Sequence, residues 1–239
     1  MALDLLKSVT GRTLVESHRG SVGHAPENSW TAIKTGRQLG ADLIEIDVQM
    51  SQDLVPFLRH NYQLPDGRWC NKLQWNELEN IAIDGESLPR LDDVLVWARE
   101  TGSKLSLDIK TTFDAEGKLT QEVVKSLERT NSKDTVILLF VDHNELFHLK
   151  KAHPDIKTRA LLRGRLFNYA EYLKSIGADC ASLSYGMFRP VDIENLHSAG
   201  ISVVLGDLWN LNTDLFNTLE IDIFTHDDPI EARKILKHQ

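Results

Sequence analysis

Residues 30–50 read WTAIKTGRQLGADLIEIDVQM and contain the unit on which the fold prediction rests. The spacing of apolar residues over Trp30–Leu39 predicts an amphipathic helix, and Gly40 is the residue type with which a helix commonly ends before a strand. Leu43–Met50 then alternates apolar and polar side chains, which is the pattern of a β-strand. The stretch therefore predicts a helix that turns back into a strand through a glycine.

The same unit recurs along the whole chain. Gly102, Gly177 and Gly200 also stand between a helical pattern and a strand pattern. The strand patterns cover Leu14–Gly20, Leu43–Met50, Lys104–Lys110, Thr135–Val141, Lys157–Leu162, Cys180–Ser184, Ile201–Leu205 and Ile221–Thr225. The helical patterns cover Trp30–Leu39, Leu91–Thr101, Leu119–Thr130, Glu145–Ala152, Phe167–Ile176 and Val191–Ala199. Strands and helices in this alternation over 239 residues predict an α/β fold, a (β/α)₈ TIM barrel formed by a single domain, residues 1–239.

Composition restricts the class of protein. A net charge of −8 without basic runs argues against a nucleic-acid or anionic-membrane partner. No stretch is long and apolar enough for a membrane span, and residues 1–13 lack the core of a signal peptide. Cys70 and Cys180 fit no metal or redox spacing, which indicates free thiols in a reducing compartment. We expect a cytoplasmic protein without membrane insertion, and the oligomeric state stays open.

One segment departs from the alternation of strands and helices. A short polar turn at residues 51–53 joins the second predicted strand to another apolar run, Val55–Leu58. Two strands joined so tightly form a hairpin rather than a parallel crossover. If the turn is centred near residues 52–53, the chain runs back antiparallel to Leu43–Met50. We therefore expect a small hairpin insertion that places His60 beside Glu45 and Asp47.

Charged side chains interrupt two of the predicted strands. Glu45 and Asp47 alternate with apolar residues that face the helices, so both carboxylates point into the barrel. Asp108 and Lys110 repeat this pattern on the next barrel strand. Three inward carboxylates near strand ends indicate an oxygen site for a hard divalent cation, Mg²⁺ or Ca²⁺, and the lysine adds positive charge for a phosphoryl oxygen. An amphipathic strand and a buried Asp108–Lys110 ion pair are the structural alternatives.

The triplet His18-Arg19-Gly20 ends the first predicted strand. Histidine transfers protons near neutral pH, arginine binds phosphate oxygens in a forked geometry, and glycine lets a ligand approach the backbone. The triplet fits a site that handles an anion, and a surface His–Arg pair is its alternative. Asn28 or Ser29 is the predicted N-cap of the first helix.

In these residues and the segments around them, the chain resembles the glycerophosphodiester phosphodiesterase family, within the group of phosphatidylinositol-phospholipase-C-like barrels. The matching segments run from residue 17 to about residue 229. They are Ser17-His18-Arg19-Gly20, Ala25-Pro26-Glu27-Asn28-Ser29, Gly40-Ala41-Asp42 with Glu45-Ile46-Asp47-Val48, Leu88-Pro89-Arg90-Leu91-Asp92-Asp93-Val94-Leu95, Asp108-Ile109-Lys110, and Phe224-Thr225 with Asp227-Asp228-Pro229.

The resemblance implies a metal-dependent phosphodiesterase with a TIM-barrel fold. The expected reaction is hydrolysis of a small glycerophosphodiester to an alcohol and glycerol 3-phosphate. On the matching positions, the resemblance assigns acid–base catalysis to His18 and His60, phosphate binding to Arg19, charge stabilisation to Lys110, and a divalent cation, Mg²⁺ or Ca²⁺, to Glu45, Asp47 and Asp108.

Three positions depart from the family pattern. Asn61 and Asp108 stand where the family usually has aspartate and glutamate, and residues 205–208 (Leu-Gly-Asp-Leu) replace its late Trp-Thr-Val-Asn stretch. Two alternatives follow from these departures. In the first alternative, the enzyme hydrolyses a sugar phosphodiester, such as an agrocinopine-type opine, instead of a glycerophosphodiester. In the second, the barrel binds phosphodiesters without turnover.

Two further residues are candidates for substrate binding. Arg163 follows the fifth predicted strand together with Arg165, and we expect it to meet an anionic end of the substrate, with a plain surface pair as the alternative. Trp209 is expected to line a sugar or glycerol pocket, and core packing is its alternative.

Overall fold

The computed structural model describes residues 5–6, 11–111, 117–184, 186–206 and 219–236. Its strands are β1 (Leu14–Ser17), β2 (Leu43–Met50), β3 (Pro56–Leu58), β4 (Ala82–Ile83), β5 (Glu86–Ser87), β6 (Leu105–Ile109), β7 (Val136–Phe140), β8 (Lys157–Leu162), β9 (Cys180–Ser184), β10 (Ser202–Gly206) and β11 (Ile223–His226).

The helices of the described residues follow the strands in alternation. They are α1 (Trp30–Gln38), α2 (Trp75–Leu78), α3 (Leu91–Thr101), α4 (Lys118–Thr130), α5 (His143–Ala152), α6 (Tyr169–Ile176), α7 (Pro190–Ser198) and α8 (Pro229–Ile235), with short 3₁₀ turns at Cys70–Lys72 and Lys133–Thr135. Within this part of the chain, no helix combines the length and the apolar character that crossing a bilayer requires.

Eight parallel strands close into a barrel. Hydrogen bonds connect them in the order β1, β11, β10, β9, β8, β7, β6 and β2. The ring closes where β1 pairs with β2, with Glu16 opposite Leu43 and Ser17 opposite Ile44. The predicted (β/α)₈ barrel is therefore confirmed, and active-site residues are expected at the carboxyl-terminal ends of its strands.

The predicted hairpin insertion follows β2. Strand β3 pairs antiparallel with β2 so that Val48 lies opposite Leu58, and the Arg59 amide donates to the Asp47 carbonyl at 3.0 Å. This register returns His60 to the level of the strand residues that carry the carboxylates, as the turn position predicts. The insertion then continues through α2 and the β4–β5 pair before α3 begins.

Side chains inside the barrel form two layers below the site. An apolar layer near the amino-terminal strand ends consists of Leu14, Leu43, Ile137, Cys180, Val204 and Ile223, with Leu5 and Leu6 packed against it. Above it lies a buried ion pair, in which Arg159 Nη1 is 2.7 Å and 2.9 Å from the two carboxylate oxygens of Glu16. Ser106, Ser182 and Thr225 hydrogen-bond to this pair. Polar groups paired in this way form a fixed base for the strand ends above.

The loop after β1 packs closely on helix α1. Gly20 has a φ of +92°, and a Cβ at Gly36 would lie 2.1 Å from the Gly20 carbonyl oxygen. Gly36→Ala is therefore expected to lower the free energy of unfolding by about 2–3 kcal/mol, because the obstacle is backbone that cannot move aside. Urea unfolding measures the change. Gly164→Ala is the control, since its Cβ meets nothing within 4 Å, and equal stability of the two variants would contradict the prediction.

Candidate active site

Three carboxylates form a cluster at the carboxyl-terminal mouth of the barrel. Asp47 on β2 lies opposite Asp108 on the adjacent β6, and Glu45 lies two residues before Asp47 on the same face. One oxygen from each carboxylate lies within 4.8 Å of the others. Their exposed fractions are only 2–7%. We refer to Glu45, Asp47 and Asp108 as the acidic cluster.

Burial and mutual repulsion shift the protonation of the acidic cluster. Burial raises the pKa of Glu45 to about 8, and the charge of Asp47 adds to the shift. Burial also raises the pKa of Asp108. For Asp47 the burial effect is outweighed by Lys110 and by the Asn28 amide, which lower its pKa. A cation bound among the three oxygens would offset the repulsion that adds to the raised pKa values of Glu45 and Asp108.

The donor set of the acidic cluster fits a hard divalent cation. Mg²⁺ and Ca²⁺ prefer oxygen ligands, and the cluster offers carboxylates without a sulfur donor. Asp108 Oδ1 is buried and has no hydrogen-bond partner among the described residues. A buried acceptor is rarely left without a partner. A cation bound at Asp108 Oδ1 would supply the partner that this oxygen lacks among the described residues.

Lys110 connects two members of the acidic cluster. Its Nζ lies 2.7 Å from Asp47 Oδ1 and also contacts Asp108 Oδ2. Burial would lower the pKa of Lys110, but the two carboxylates outweigh it and raise the pKa above its usual value. The Asp108–Lys110 ion pair, which the sequence offered as an alternative to a role in phosphate binding, is therefore present. The same ammonium group lies at the mouth, where it would face a bound phosphoryl oxygen.

Asn28 fixes the position of Asp47. Its Nδ2 donates to Asp47 Oδ2 at 2.7 Å, and its Oδ1 accepts from the Asp47 amide at 2.8 Å. Asn28 has a φ of +58°, so the N-cap of α1 is the next residue, Ser29, whose side chain accepts from the Ala32 amide at 3.0 Å. Of the two predicted N-caps, Ser29 takes that role, and Asn28 serves the site.

A carboxylate from the end of the chain orients His18. The ring Nδ1 lies 2.6 Å from Asp227 Oδ1, and Nε2 lies 4.0 Å from Glu45 Oε2. Burial disfavours the charged ring, but the hydrogen bond to Asp227 and the charge of Glu45 outweigh it and raise the pKa of His18 to about 9. Asp227 therefore both positions the ring and makes it a stronger base, as a carboxylate partner does in hydrolases.

Arg19 is held at the same mouth through its backbone and its side chain. Its amide donates to Glu45 Oε2 at 2.8 Å, and its Nη1 bonds to Glu27. Its Nε lies 3.6 Å from Asp47 Oδ2 and is buried without a hydrogen-bond partner among the described residues. A donor that is free in this way, beside the acidic cluster, suits a phosphate oxygen.

His60 reaches the mouth on the hairpin insertion. Its Nδ1 lies 2.9 Å from Asn61 Oδ1. Gln49 on β2 holds the backbone on both sides of His60, because its Nε2 donates to the carbonyls of Arg59 and Asn61 at 2.9 Å and 2.7 Å. His60 is close enough for its charge to act on Asp47. The structure thus brings both histidines to the same mouth of the barrel.

Of the two candidates for substrate binding outside the family motifs, Arg163 belongs to the described residues and Trp209 does not. Arg163 follows β8 with an exposed side chain, and Arg165 Nη2 lies 3.7 Å from Asp192 Oδ2. Neither has a hydrogen bond to the acidic cluster within the described chain, so the role of Arg163 stays a prediction. Trp209 and residues 207–208 lie outside the described residues.

Sequence reasoning did not assign Asp227, Glu27 or Asn28 to the site. All three belong to segments that carry the family resemblance, and this was the available signal. The contact of Asp227 with His18 could not be derived from spacing, because 209 residues separate them. The contacts of Glu27 with Arg19 and of Asn28 with Asp47 depend on the path of the irregular segment between β1 and α1, which periodicity does not predict.

Comparison with known proteins identifies the family to which this site belongs. The model of the glycerophosphoryl diester phosphodiesterase family matches residues 18–231. An uncharacterized protein of Bacillus subtilis, YqiK, is 27% identical over 178 residues, which are 70% of this chain and 73% of that protein. A glycerophosphodiester phosphodiesterase of Caldanaerobacter subterraneus is 26% identical, and the alignment covers 61% of this chain and 65% of the relative.

Solved structures share the fold. A phosphodiesterase of Oleispira antarctica in complex with the product sn-glycerol-3-phosphate superposes with a TM-score of 0.84 at 21% identity, covering 95% of this chain and 98% of that one. A glycerophosphodiester phosphodiesterase of Parabacteroides distasonis gives a TM-score of 0.84 at 20% identity over 95% and 97% of the two chains. The family match extends across both the acidic cluster and the two histidines. The chain therefore belongs to the glycerophosphoryl diester phosphodiesterase family and is a phosphoric diester hydrolase.

Proposed function

We propose that the protein hydrolyses a small glycerophosphodiester to an alcohol and glycerol 3-phosphate, with Mg²⁺ or Ca²⁺ held by Glu45, Asp47 and Asp108. The observation that carries the proposal is the buried acidic cluster, which lies at one mouth with Lys110 and His18. The product found in the Oleispira antarctica relative supports the choice of glycerophosphodiester. The proposed compartment is the cytoplasm, where the buried free thiols Cys70 and Cys180 would stay reduced.

The proposed reaction has two steps. His18 takes the proton of the glycerol hydroxyl next to the phosphoester, and that oxygen attacks phosphorus to form a cyclic phosphate. His60 gives a proton to the departing alkoxide, so that a neutral alcohol leaves. In the second step water opens the cyclic phosphate, and the histidines exchange roles.

Positive charge at the mouth would stabilise the phosphoryl oxygens during both steps. Lys110 and Arg19 supply fixed charge and hydrogen-bond donors from the chain itself. A divalent cation, when bound, supplies further electrostatic stabilisation of the same oxygens. The roles of these residues are proposals that rest on their geometry and on the family resemblance.

A sugar phosphodiester is the second candidate substrate. The departure of residues 205–208 from the family's late stretch favours it, because Leu205 and Gly206 form the carboxyl-terminal end of β10, the end of a barrel strand at which active sites lie. The family assignment favours an enzyme over a barrel that only binds phosphodiesters.

Parallel assays of several diesters test the proposed function. Glycerophosphocholine, glycerophosphoethanolamine, glycerophosphoglycerol and an agrocinopine-type sugar phosphodiester would be incubated with Mg²⁺ or Ca²⁺, with and without chelator. Release of glycerol 3-phosphate from a glycerophosphodiester, and its loss with chelator, is expected. Turnover of the sugar diester alone would replace the glycerol substrate, and no turnover of any diester would contradict the proposal.

The His18–Asp227 pair predicts a specific pH effect. Asp227 raises the pKa of His18, so Asp227→Asn is expected to lower that pKa. If His18 is the base, the acidic limb of the kcat/KM profile shifts to lower pH, since the ring loses its proton earlier. If His18 is the acid, the alkaline limb shifts instead. Asp228→Asn is the control, because Asp228 pairs with His24 at 3.1 Å. A profile that Asp227→Asn leaves unchanged would contradict the pairing.

A further inference from the structure

A cavity of about 220 Å³ lies beside the active site. The start of α1, the end of β3 and the β4–β5 pair line it, with Glu27, Asn28, Arg59, Asn61, Asp84 and Glu86 among the lining residues. The cavity adjoins the catalytic groups, because Asn28 bonds to Asp47 and Glu27 bonds to Arg19. A diester bound at the acidic cluster therefore has room to extend one end into it.

Arg59 brings a buried positive charge to the wall of this cavity. Only 8% of this residue is exposed. Its Nη2 donates to the Gln63 carbonyl at 2.8 Å, its guanidinium also lies beside the Cys70 thiol, and its Nε is buried without a hydrogen-bond partner among the described residues. Within the described chain, no carboxylate oxygen lies within 4.0 Å of its guanidinium nitrogens. The comparably buried Arg159, in contrast, pairs with Glu16. Because buried arginines are ordinarily paired, an anion from outside the chain would complete the surroundings of Arg59.

The acidic side chains of the cavity do not neutralise Arg59. Glu27 pairs with Arg19, and Glu86 accepts a hydrogen bond from Thr31. Asp84 is exposed between β4 and β5. The cavity is therefore lined by one buried cation and by carboxylates that are more exposed than it, which is the complement of a zwitterion.

We propose that this cavity binds the leaving alcohol of the diester and selects an alcohol that carries both a carboxylate and an ammonium group, as serine does. The carboxylate pairs with Arg59, and the ammonium faces Asp84 and Glu86. The inference rests on the proposed function, in which His60 protonates the leaving alcohol, because Arg59 and Asn61 are its neighbours in the chain. A charge-assisted contact to a guanidinium group is strong enough to separate substrates that differ in one carboxylate.

Two diesters isolate this contact, since glycerophosphoserine and glycerophosphoethanolamine differ only in the carboxylate. With the metal-loaded protein, kcat/KM is expected to be at least about tenfold higher for the serine diester. Arg59→Gln is expected to remove this preference by slowing the serine diester alone, and Arg59→Lys is expected to retain part of it. Arg68→Gln is the matched control, because Arg68 lies in the same insertion and pairs with Asp66 at the surface.

Each outcome decides the proposal. Equal or faster turnover of the ethanolamine diester by the unaltered protein overturns it, and that measurement needs no variant to fold. An equal loss on both diesters in Arg59→Gln assigns Arg59 a structural role and also overturns it. If neither of these diesters nor any other glycerophosphodiester is hydrolysed, the proposed function fails, and without turnover of these two the preference is measured by binding. Calorimetric dissociation constants with the metal-loaded protein then decide the binding proposal: about tenfold tighter binding of the serine diester supports it, and equal binding overturns it.

Discussion

Glu45→Gln and Asp47→Asn are expected to lower the affinity for Mg²⁺ or Ca²⁺ at least about 100-fold and to abolish diester hydrolysis. Each change removes one negative ligand from a set of three buried carboxylates. Even the loss of a group that only supports a metal ligand commonly lowers affinity 10- to 100-fold, so loss of a ligand has the larger effect. Calorimetric titration of the ion measures the affinity, and diester turnover measures the consequence.

Chelation provides the complementary measurement. Activity is expected to vanish with chelator and to return when Mg²⁺ or Ca²⁺ is added. Asp108→Glu, which introduces the residue usual in the family, is expected to be tolerated, because it keeps a carboxylate in the cluster and lengthens the side chain by only one methylene. Full activity after exhaustive chelation would contradict a metal site. Inactivation by Asp108→Glu would mean that residue 108 is not a ligand of the proposed kind.

Local patterns were sufficient for the strands of the barrel. Leu43–Met50, Lys157–Leu162 and Cys180–Ser184 have the bounds that the alternation of side chains predicts. The first strand is shorter than predicted, since it ends at Ser17. Arg19 and Gly20 have φ values of +49° and +92°, which no strand accommodates. Apolar patterning alone does not reveal such a turn, although the triplet that forms it was recognised as a functional signal.

Long-range pairing was the part that the sequence could not supply. Asp227 meets His18 from 209 residues away, and Arg159 meets Glu16 from 143 residues away. Periodicity predicts which face of a strand a side chain occupies, but it does not tell which loops or strands become neighbours. Glu16 illustrates the limit, because it stands within an apolar run and is fully buried through a partner on a different strand. The β2–β3 hairpin is a pairing that the sequence does predict, because the length of a short turn determines the register of the two strands that it joins.

The two histidines carry the other large expected effect. His18→Gln and His60→Gln are each expected to lower kcat by about 10²–10⁴-fold, which is the usual contribution of a positioned acid or base. The metal affinity should change little, because neither ring belongs to the acidic cluster. His153→Gln is the control, since His153 lies at the end of α5, outside the mouth. Retained turnover in either active-site variant would contradict its assignment.

Leaving-group and substrate changes then separate the two roles and test the attack by the neighbouring hydroxyl. A leaving group of low pKa departs without a proton, so it is expected to rescue the acid variant, His60→Gln, and to leave the base variant, His18→Gln, slow. The opposite rescue would exchange the roles, and the Asp227→Asn profile would then move its alkaline limb. A diester without a hydroxyl next to the phosphoester cannot form the cyclic phosphate and is expected not to turn over. If it is hydrolysed as fast as its hydroxyl-bearing counterpart, water attacks phosphorus directly, and the base at His18 acts on water instead of on glycerol.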